Sequence, residues 1–123
     1  MHIDSHVESN IQRIELEGTV DSSCMPEFSA YLIRTIRESD RSVLLDLSKT
    51  RYMGSSALRV ITMAQKQAVA KGISFGLCSP SKELWQLFLV VHLERYIVIY
   101  DSKKEAFEKM TKASSGLLTN TSS

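Results

Sequence analysis

Hydrophobic residues recur along this chain with two spacings, one typical of strands and one typical of helices. Between residues 11 and 17, Ile14 and Leu16 alternate with charged residues, which predicts a half-buried strand. The mostly apolar run at 42–48 predicts a strand buried on both faces. Over residues 55–71 the spacing becomes helical, and Gly72 is a residue that commonly ends helices. One face of that helix collects apolar residues, namely Ala57, Ile61, Ala64 and Ala68.

Strands and helices alternate through the rest of the chain after an opening pair of strands. Predicted strands lie at 2–7, 11–17, 42–48, 73–79 and 96–100, and predicted helices at 26–39, 55–71, 80–91 and 101–110. The first of these helices is expected to bury Phe28, Leu32, Ile33 and Ile36. This order predicts an α/β fold with a mostly parallel sheet and helices packed against it. One domain is expected over residues 1–112, followed by a disordered tail at 113–123.

Composition narrows the class of protein. The 123 residues carry a net charge of +1 and are 43% hydrophobic, which gives no general affinity for nucleic acid or anionic membranes. No apolar run reaches the roughly 18–20 residues that cross a bilayer, and the polar start is unlike a secretory signal. Cys24 and Cys78 fit no metal or redox spacing, so reduced thiols are expected. We therefore expect a cytoplasmic protein that neither binds nucleic acid directly nor inserts into a membrane.

Motifs for catalysis and for cofactor binding are absent from the sequence. It contains no phosphate-binding or dinucleotide-binding glycine motif, and no serine lies in G-x-S-x-G. His2, His6 and His92 are not spaced as a set of metal ligands. Asp46 lies inside a predicted strand, whereas a receiver domain needs its aspartate at a strand end. The sequence therefore predicts a protein that is not an enzyme and has no cofactor and no metal site.

The segment SKTRYMGSSALRV, residues 48–60, carries the most specific chemistry. Ser55 and Ser56 stand at the predicted helix start, where a serine commonly caps the helix with a bond of about 1 kcal/mol. The same position favours an anion by about 0.3–1 kcal/mol, because N–H groups and the helix dipole point to it. A phosphoryl group on Ser55 is thus compatible with the fold, and it adds about −1.5 to −2 charge. A cap and a regulatory site both remain open.

Met63 lies away from the apolar face of the same helix, on the side shared by Ser56 and Arg59. An exposed methionine there is a soft, adaptable contact for a partner. Contact with a neighbouring helix is the alternative.

Three short motifs match the pattern of one known family. DLSKTRYMGSSALRV at 46–60 is similar to a strand ending in D-L-S, a few residues, then M-D-S-S-G-L-G-V and a helix. GTVD at 18–21 looks like G-x-[LV]-D, and the segment at 85–100 is similar to RLF…SGL before a last strand. Over about residues 11–110 the chain resembles the STAS domain of the bacterial anti-sigma factor antagonists. The resemblance implies a mixed sheet of four or five strands with about four helices mainly on one face.

The resemblance also implies a function in partner switching. An unphosphorylated antagonist binds an anti-sigma factor, which is a serine kinase, and so frees the sigma factor. The kinase uses ATP to phosphorylate the first serine of the motif, and a serine phosphatase resets the cycle. Carried over to this chain, that serine is Ser55. The matching positions around it in the phosphorylation loop are Asp21, Gly54, Ser56 and Arg59. The family's docking surface matches the helix start, where the expected partner contacts are Ala57, Leu58 and Met63.

Two departures from the family pattern make the turn more positive. Gly54 stands where the family usually has aspartate, and Ala57 and Arg59 stand where it usually has glycines. Lys49 and Arg51 are expected in the same loop, and Arg59 is one helical turn beyond Ser55. We expect this turn to hold an anion better than the usual motif does, with solvated surface cations as the alternative.

Two other functions remain open from the sequence. Gly54 is also compatible with an accessory STAS protein that is never phosphorylated, such as a subunit of a transporter or sensory complex. A small-molecule sensor or enzyme that holds an anionic ligand at the cationic turn is the third hypothesis. Detection of phosphate on Ser55 would distinguish a switched antagonist from an accessory STAS protein. A melting temperature that depends on an added ligand would favour the small-molecule sensor or enzyme.

Overall fold

The computed structural model describes residues 1–111, which contain five strands, four helices and two single 3₁₀ turns. The strands are β1 His2–Glu8, β2 Ile11–Val20, β3 Val43–Met53, β4 Phe75–Cys78 and β5 Val98–Tyr100. The helices are α1 Met25–Glu38, α2 Ser55–Lys71, α3 Lys82–Val90 and α4 at 103–111. The 3₁₀ turns are Ser22–Cys24 and Leu93–Arg95. The tail predicted at 113–123 lies outside the described residues.

The strands form one mixed sheet in the order β1-β2-β3-β4-β5. β1 and β2 are antiparallel and are joined by Ser9 and Asn10, whose positive φ angles suit a tight hairpin turn. β2, β3, β4 and β5 are parallel, and a helix connects each of them to the next. The predicted α/β class and the mixed sheet with an opening strand pair are confirmed.

The main core lies between one face of the sheet and helices α1, α2 and α3. Its largest fully buried side chains include Ile14, Phe28, Leu32, Leu45, Ile61 and Phe88. On the opposite face, Ala106 and Met110 of α4 pack against Ile11, Leu44 and Cys78. Successive strand residues point to opposite faces, which explains why Leu44 and Leu45 belong to different clusters. Three of the four helices therefore lie on one face, as expected.

β3 is longer than its apolar part predicts, and this changes the surroundings of the turn before α2. The predicted strand stops at residue 48, whereas β3 continues to Met53. The added length is paired with the end of β2, where Val20 lies opposite Met53. Lys49 and Arg51 therefore lie on a strand, and the prediction that they belong to a loop is wrong.

α2 occupies the residues predicted for it and ends at Gly72. The φ of Gly72 is 81°, in the left-handed region that favours glycine, and its N–H donates to carbonyl oxygens of the last turn. The Nζ of Lys71 donates to the carbonyl oxygens of Ile36 and Ser39 at the end of α1, which ties the two helices together. Ile33 of α1, predicted to be buried, is only partly buried.

Candidate functional site

The ends of β2 and β3 bring the predicted site residues to one edge of the sheet. The two strands are parallel, so their carboxyl ends meet at the same edge. The N–H of Gly54 donates to the carbonyl oxygen of Val20 at 2.9 Å. Asp21 follows Val20 directly and Ser55 follows Gly54 directly, so the pairing of the two strands places both residues at this edge. We call the edge formed by Asp21, Gly54 and Ser55 the switch edge.

The first turn of α2 presents two serines, and neither of them caps the helix. The N-cap is Gly54, which has an extended backbone with φ of −78° and ψ of 169° and makes no side-chain cap. Ser55 and Ser56 are the first two helical residues, and both are exposed. The interpretation of these serines as caps is therefore wrong, because the backbone is already helical at Ser55. Its hydroxyl is accessible at the surface instead.

Asp21 is exposed at the switch edge, where it caps the 3₁₀ turn before α1. Its Oδ1 accepts hydrogen bonds from the hydroxyl of Ser23 and from the Ser23 N–H, the latter at 3.0 Å. Both bonds lower the pKa of the Asp21 carboxyl below its usual value, and the bond from the hydroxyl has the larger effect. Asp21 is therefore a negatively charged group at neutral pH beside the turn that carries Ser55.

The residues of α2 assigned to partner contact differ in exposure. Met63 is 47% exposed and lies on the face of α2 that also carries exposed Arg59. Ala57 and Leu58 are 0% and 6% exposed and pack in the main core. The assignment of Ala57 and Leu58 to direct partner contact is therefore wrong, because the core already buries their side chains. The Met63 side chain, by contrast, is accessible to solvent.

A buried charge cluster on the opposite face of the sheet was not found from the sequence. Arg13 and Asp46 are 8% and 4% exposed. Arg13 Nε donates to Glu8 Oε1 at 3.0 Å, and its Nη1 donates to Glu15 Oε2 at 2.9 Å and to Asp46 Oδ2 at 3.1 Å. Lys49 Nζ adds a bond to Glu15 at 3.0 Å. The cluster joins β1, β2 and β3, which include the two strands that end at the switch edge.

The same hydrogen bonds set the protonation of the cluster. The bond from Arg13, followed by that from Lys49, lowers the pKa of Glu15 to about 2. The bond from Arg13 also lowers the pKa of Glu8. Burial raises the pKa of the neighbouring Cys78 thiol to about 12, so that Cys78 is an un-ionised thiol at neutral pH. The cluster is thus a set of paired charges that links three strands.

Three further features of the described part of the chain bear on the class of site. Within residues 1–111, no three histidine, cysteine, aspartate or glutamate side chains are grouped as metal ligands. Cys24 and Cys78 are both free thiols, as predicted. Over the same residues, no helix combines the length and the apolar character that crossing a membrane requires.

A family model for the STAS domain matches residues 2–106. The chain belongs to the STAS domain family. The match extends from β1 into α4 and includes the whole switch edge. The resemblance drawn from the segment at 46–60 is therefore confirmed at the level of the family.

Solved structures share this STAS fold at low sequence identity. A candidate anti-sigma factor antagonist from Thermotoga maritima is 20% identical with a TM-score of 0.82, and the match covers 89% of this chain and 94% of that one. The Bacillus cell fate determinant SpoIIAA in its phosphorylated form is 16% identical with a TM-score of 0.66, covering 88% and 98%. A sulfate transporter family protein from Wolinella succinogenes is 12% identical with a TM-score of 0.75, covering 89% and 92%.

Restoring the family's usual aspartate at position 54 is expected to stabilise this STAS domain. The extended backbone of Gly54 suits any residue, and the nearest atom to an added Cβ is the Val20 carbonyl oxygen at 3.8 Å. An aspartate there accepts a bond from the first turn of α2 and restricts the unfolded chain, for a gain of about 0.5–1 kcal/mol. Thermal unfolding of the Gly54→Asp variant should show a midpoint raised by a few degrees.

Gly72→Asp is the matched control, because Gly72 lies at the other end of α2 and has a positive φ. Aspartate is strained in that conformation, so this variant should unfold at a lower temperature than the wild type. If Gly54→Asp is destabilised as much as the control, the backbone conformation at position 54 requires glycine.

Proposed function

We propose that this STAS protein is an anti-sigma factor antagonist that acts by partner switching. With Ser55 unmodified it binds an anti-sigma factor that is also a serine kinase, and phosphorylation of Ser55 releases it. The observation that carries this proposal is the exposed Ser55 hydroxyl at the start of α2, on the same sheet edge as Asp21. Support also comes from structural neighbours, among them the anti-sigma factor antagonist SpoIIAA, solved in unphosphorylated and phosphorylated forms.

The proposed modification transfers a phosphoryl group from ATP to the Oγ of Ser55. The bond between the γ-phosphorus and its bridging oxygen breaks, a bond between Oγ and phosphorus forms, and ADP leaves. The hydroxyl proton passes to a base of the kinase. A serine phosphatase reverses the modification when water attacks the phosphorus and inorganic phosphate leaves. In both steps this protein is the substrate and a binding module, and it acts as no enzyme itself.

Phosphorylation is expected to change the surface of the protein and to leave its fold intact. Ser55 is exposed in the first turn of α2, where free N–H groups and the helix dipole favour a negative charge. A partner docked over this turn meets about −1.5 to −2 added charge, which opposes binding. Asp21 already carries a negative charge at the switch edge, to which the phosphoryl group adds.

The proposed cycle needs protein partners alone. These are the anti-sigma factor kinase and the phosphatase, and the antagonist meets both in the bacterial cytoplasm. Met63 contributes an apolar contact on the exposed face of α2, beside Ser56 and Arg59. With a net charge of +1, the chain has no general attraction to nucleic acid.

Incubation with ATP and the serine kinase anti-sigma factor from the same genome tests the modification site. The intact mass of the protein should rise by one phosphate, and fragmentation should place it on Ser55. Ser55→Ala should abolish the gain, while Ser56→Ala, the adjacent exposed serine, should retain it. A complex that forms without any phosphate gain, or a phosphate that persists in Ser55→Ala, would refute the assignment.

An accessory STAS domain that is never phosphorylated is the second candidate. The observation that favours it is the Wolinella succinogenes neighbour, a sulfate transporter family protein with a TM-score of 0.75. Gly54 in place of aspartate also separates this chain from the usual phosphorylation motif. Under this alternative the Ser55→Ala variant and the wild type bind every partner equally, with or without ATP.

A further inference from the structure

Arg59 is exposed on α2 one helical turn after Ser55. Residues four apart on a helix lie on the same face, and the order of an anion followed by a cation is the favourable one. Arg59 takes part in no salt bridge with any residue from 1 to 111. Its guanidinium is therefore accessible both to a partner and to a group attached to Ser55.

The charges of α2 leave Arg59 without a competing carboxylate on its own helix. Among residues 55–71 there are three cations, Arg59, Lys66 and Lys71, and no aspartate or glutamate. Lys71 donates to carbonyl oxygens at the end of α1, at the far end of the helix from Ser55. The exposed face that follows from Ser55 is thus positive, with Met63 as its apolar centre.

Two other cations were expected from the sequence to lie around Ser55, and both are on β3 and not on α2. Lys49 lies on β3 and is paired with Glu15 at 3.0 Å in the charge cluster of the opposite face. Arg51 is exposed on β3, outside the helix. Arg59 is therefore the cation of α2 nearest in sequence to Ser55, and its spacing of four residues places it on the same face of the helix.

We propose that Arg59 is the residue through which phosphorylation of Ser55 controls partner binding. In the unmodified protein its guanidinium pairs with carboxylates on the docking surface of the anti-sigma factor kinase. In the phosphorylated protein it pairs with the phosphate one turn away and no longer contacts the partner. This inference rests on the proposed function and adds to it both the switch residue and the acidic character of the docking surface.

Arg59 pairs more favourably with a phosphate on Ser55 than with a partner's carboxylate, for two reasons. A guanidinium and a phosphate form charge-assisted, often bidentate hydrogen bonds, and the phosphate carries about −1.5 to −2 charge where a carboxylate carries −1. The phosphate is also attached to the same helix, so that no second molecule has to be held in place. Phosphorylation therefore acts twice on the complex, because it removes a cation that the partner needs and adds an anion that the partner's carboxylates repel.

A double-mutant cycle tests the proposal. Phosphoserine is placed at position 55 during translation, and the affinity of a catalytically inactive kinase is measured without ATP. In the wild type, phosphorylation should weaken binding by about 100-fold. Unmodified Arg59→Gln should already bind more weakly than the wild type, and its phosphorylation should cost only the repulsion by the phosphate, about tenfold. Lys66→Gln removes an equal charge two turns further along the exposed face of α2 and should keep the wild-type ratio. Arg51→Gln, with its cation on β3, should also keep it.

A second measurement needs no partner. The phosphate of phosphoserine 55 is titrated by phosphorus NMR in the wild type and in Arg59→Gln, and the wild-type phosphate should ionise at lower pH because the guanidinium stabilises its dianion. Identical titrations, or a binding ratio in Arg59→Gln equal to that of the wild type, would overturn the role of Arg59 alone. A wild-type binding ratio near one would instead overturn the proposed function.

Discussion

Replacing Arg13 with methionine is expected to lower the free energy of unfolding by about 3–5 kcal/mol, the usual range when one partner of a buried ion pair is removed. Methionine is also unbranched and similar in length, so the change mainly removes charge and hydrogen bonds. Three carboxylates then lose the guanidinium that they share, those of Glu8, Glu15 and Asp46. Asp46 is the most affected because it is 4% exposed and cannot turn to water.

Two further variants distinguish the contribution of the Arg13 charge to stability from that of its side-chain packing. Arg34→Met changes an exposed arginine of α1 in the same way and should alter stability by less than about 0.5 kcal/mol. Adding Asp46→Asn to the Arg13→Met background removes the stranded charge and should recover part of the loss. A double variant no more stable than Arg13→Met would mean that packing of the arginine stem, and not its charge, stabilises the sheet.

The pH dependence of stability gives an independent measure of the same cluster. The pKa of Glu15 is about 2 and that of Glu8 is lowered, so the folded protein binds fewer protons than the unfolded chain in mild acid. Their contribution is therefore complete above about pH 5 and is lost as the pH falls towards 2. In Arg13→Met, urea unfolding followed between these values should show a shallower loss than in the wild type, since the main cause of both shifts is gone.

Local patterns in the sequence were sufficient for the class of fold and for several boundaries. α2 coincides with its predicted span because the apolar stripe that includes Ala57 and Ala64 has a helical period and Gly72 ends it. The opening strand pair and the alternation of strands with helices were likewise visible as changes of period. These features depend on neighbours within a few residues, which is the range that a hydrophobic pattern describes.

Features that depend on pairing between distant segments were not predictable in the same way. Residues 49–53 read as a polar turn, and they are a strand because the end of β2 pairs with them. The charge cluster requires the register that places Glu15 opposite Asp46. The sequence carried one indication of the charge cluster. Alternation along β2 places Arg13 and Glu15 on the face opposite Ile14 and Leu16. Without the register, that indication did not show which carboxylates meet.

The candidate site also combines features that a local motif predicts with features that depend on strand pairing. Ser55 and Gly54 were found from a motif, and the strand pairing of Val20 with Met53 explains why Asp21 lies at their edge. The exposure of individual side chains was harder to predict. The sequence pattern predicted the two serines as caps, whereas the backbone places Gly54 at the N-cap.

Phosphorylation of Ser55 is expected to weaken binding of the anti-sigma factor kinase by at least about 100-fold, which corresponds to roughly 2.7 kcal/mol. The added charge lies at the exposed start of α2, beside Arg59 and on the same sheet edge as the charged Asp21. A docked surface excludes water from this turn, so an added negative charge that Arg59 neutralises only in part costs more there than it would in solution. The fold itself should not change, and thermal unfolding midpoints of the two forms should agree within a few degrees.

Salt distinguishes this electrostatic release from a change of shape. The charges that act across the interface are surface charges, and salt screens them over about 10 Å at 0.1 M. The difference in affinity between the two forms should therefore shrink as the ionic strength rises. A difference that stays constant up to high salt would point to a rearrangement of α2 instead.

The most direct test of the account is the affinity of one anti-sigma factor kinase for two forms of this protein, with serine or phosphoserine at position 55. The kinase is used without ATP, and binding is measured by calorimetry at physiological salt. The account predicts tight binding of the serine form and at least about 100-fold weaker binding of the phosphoserine form. Equal affinities, with both forms folded, would contradict it and would favour a STAS domain whose contacts are not controlled at Ser55.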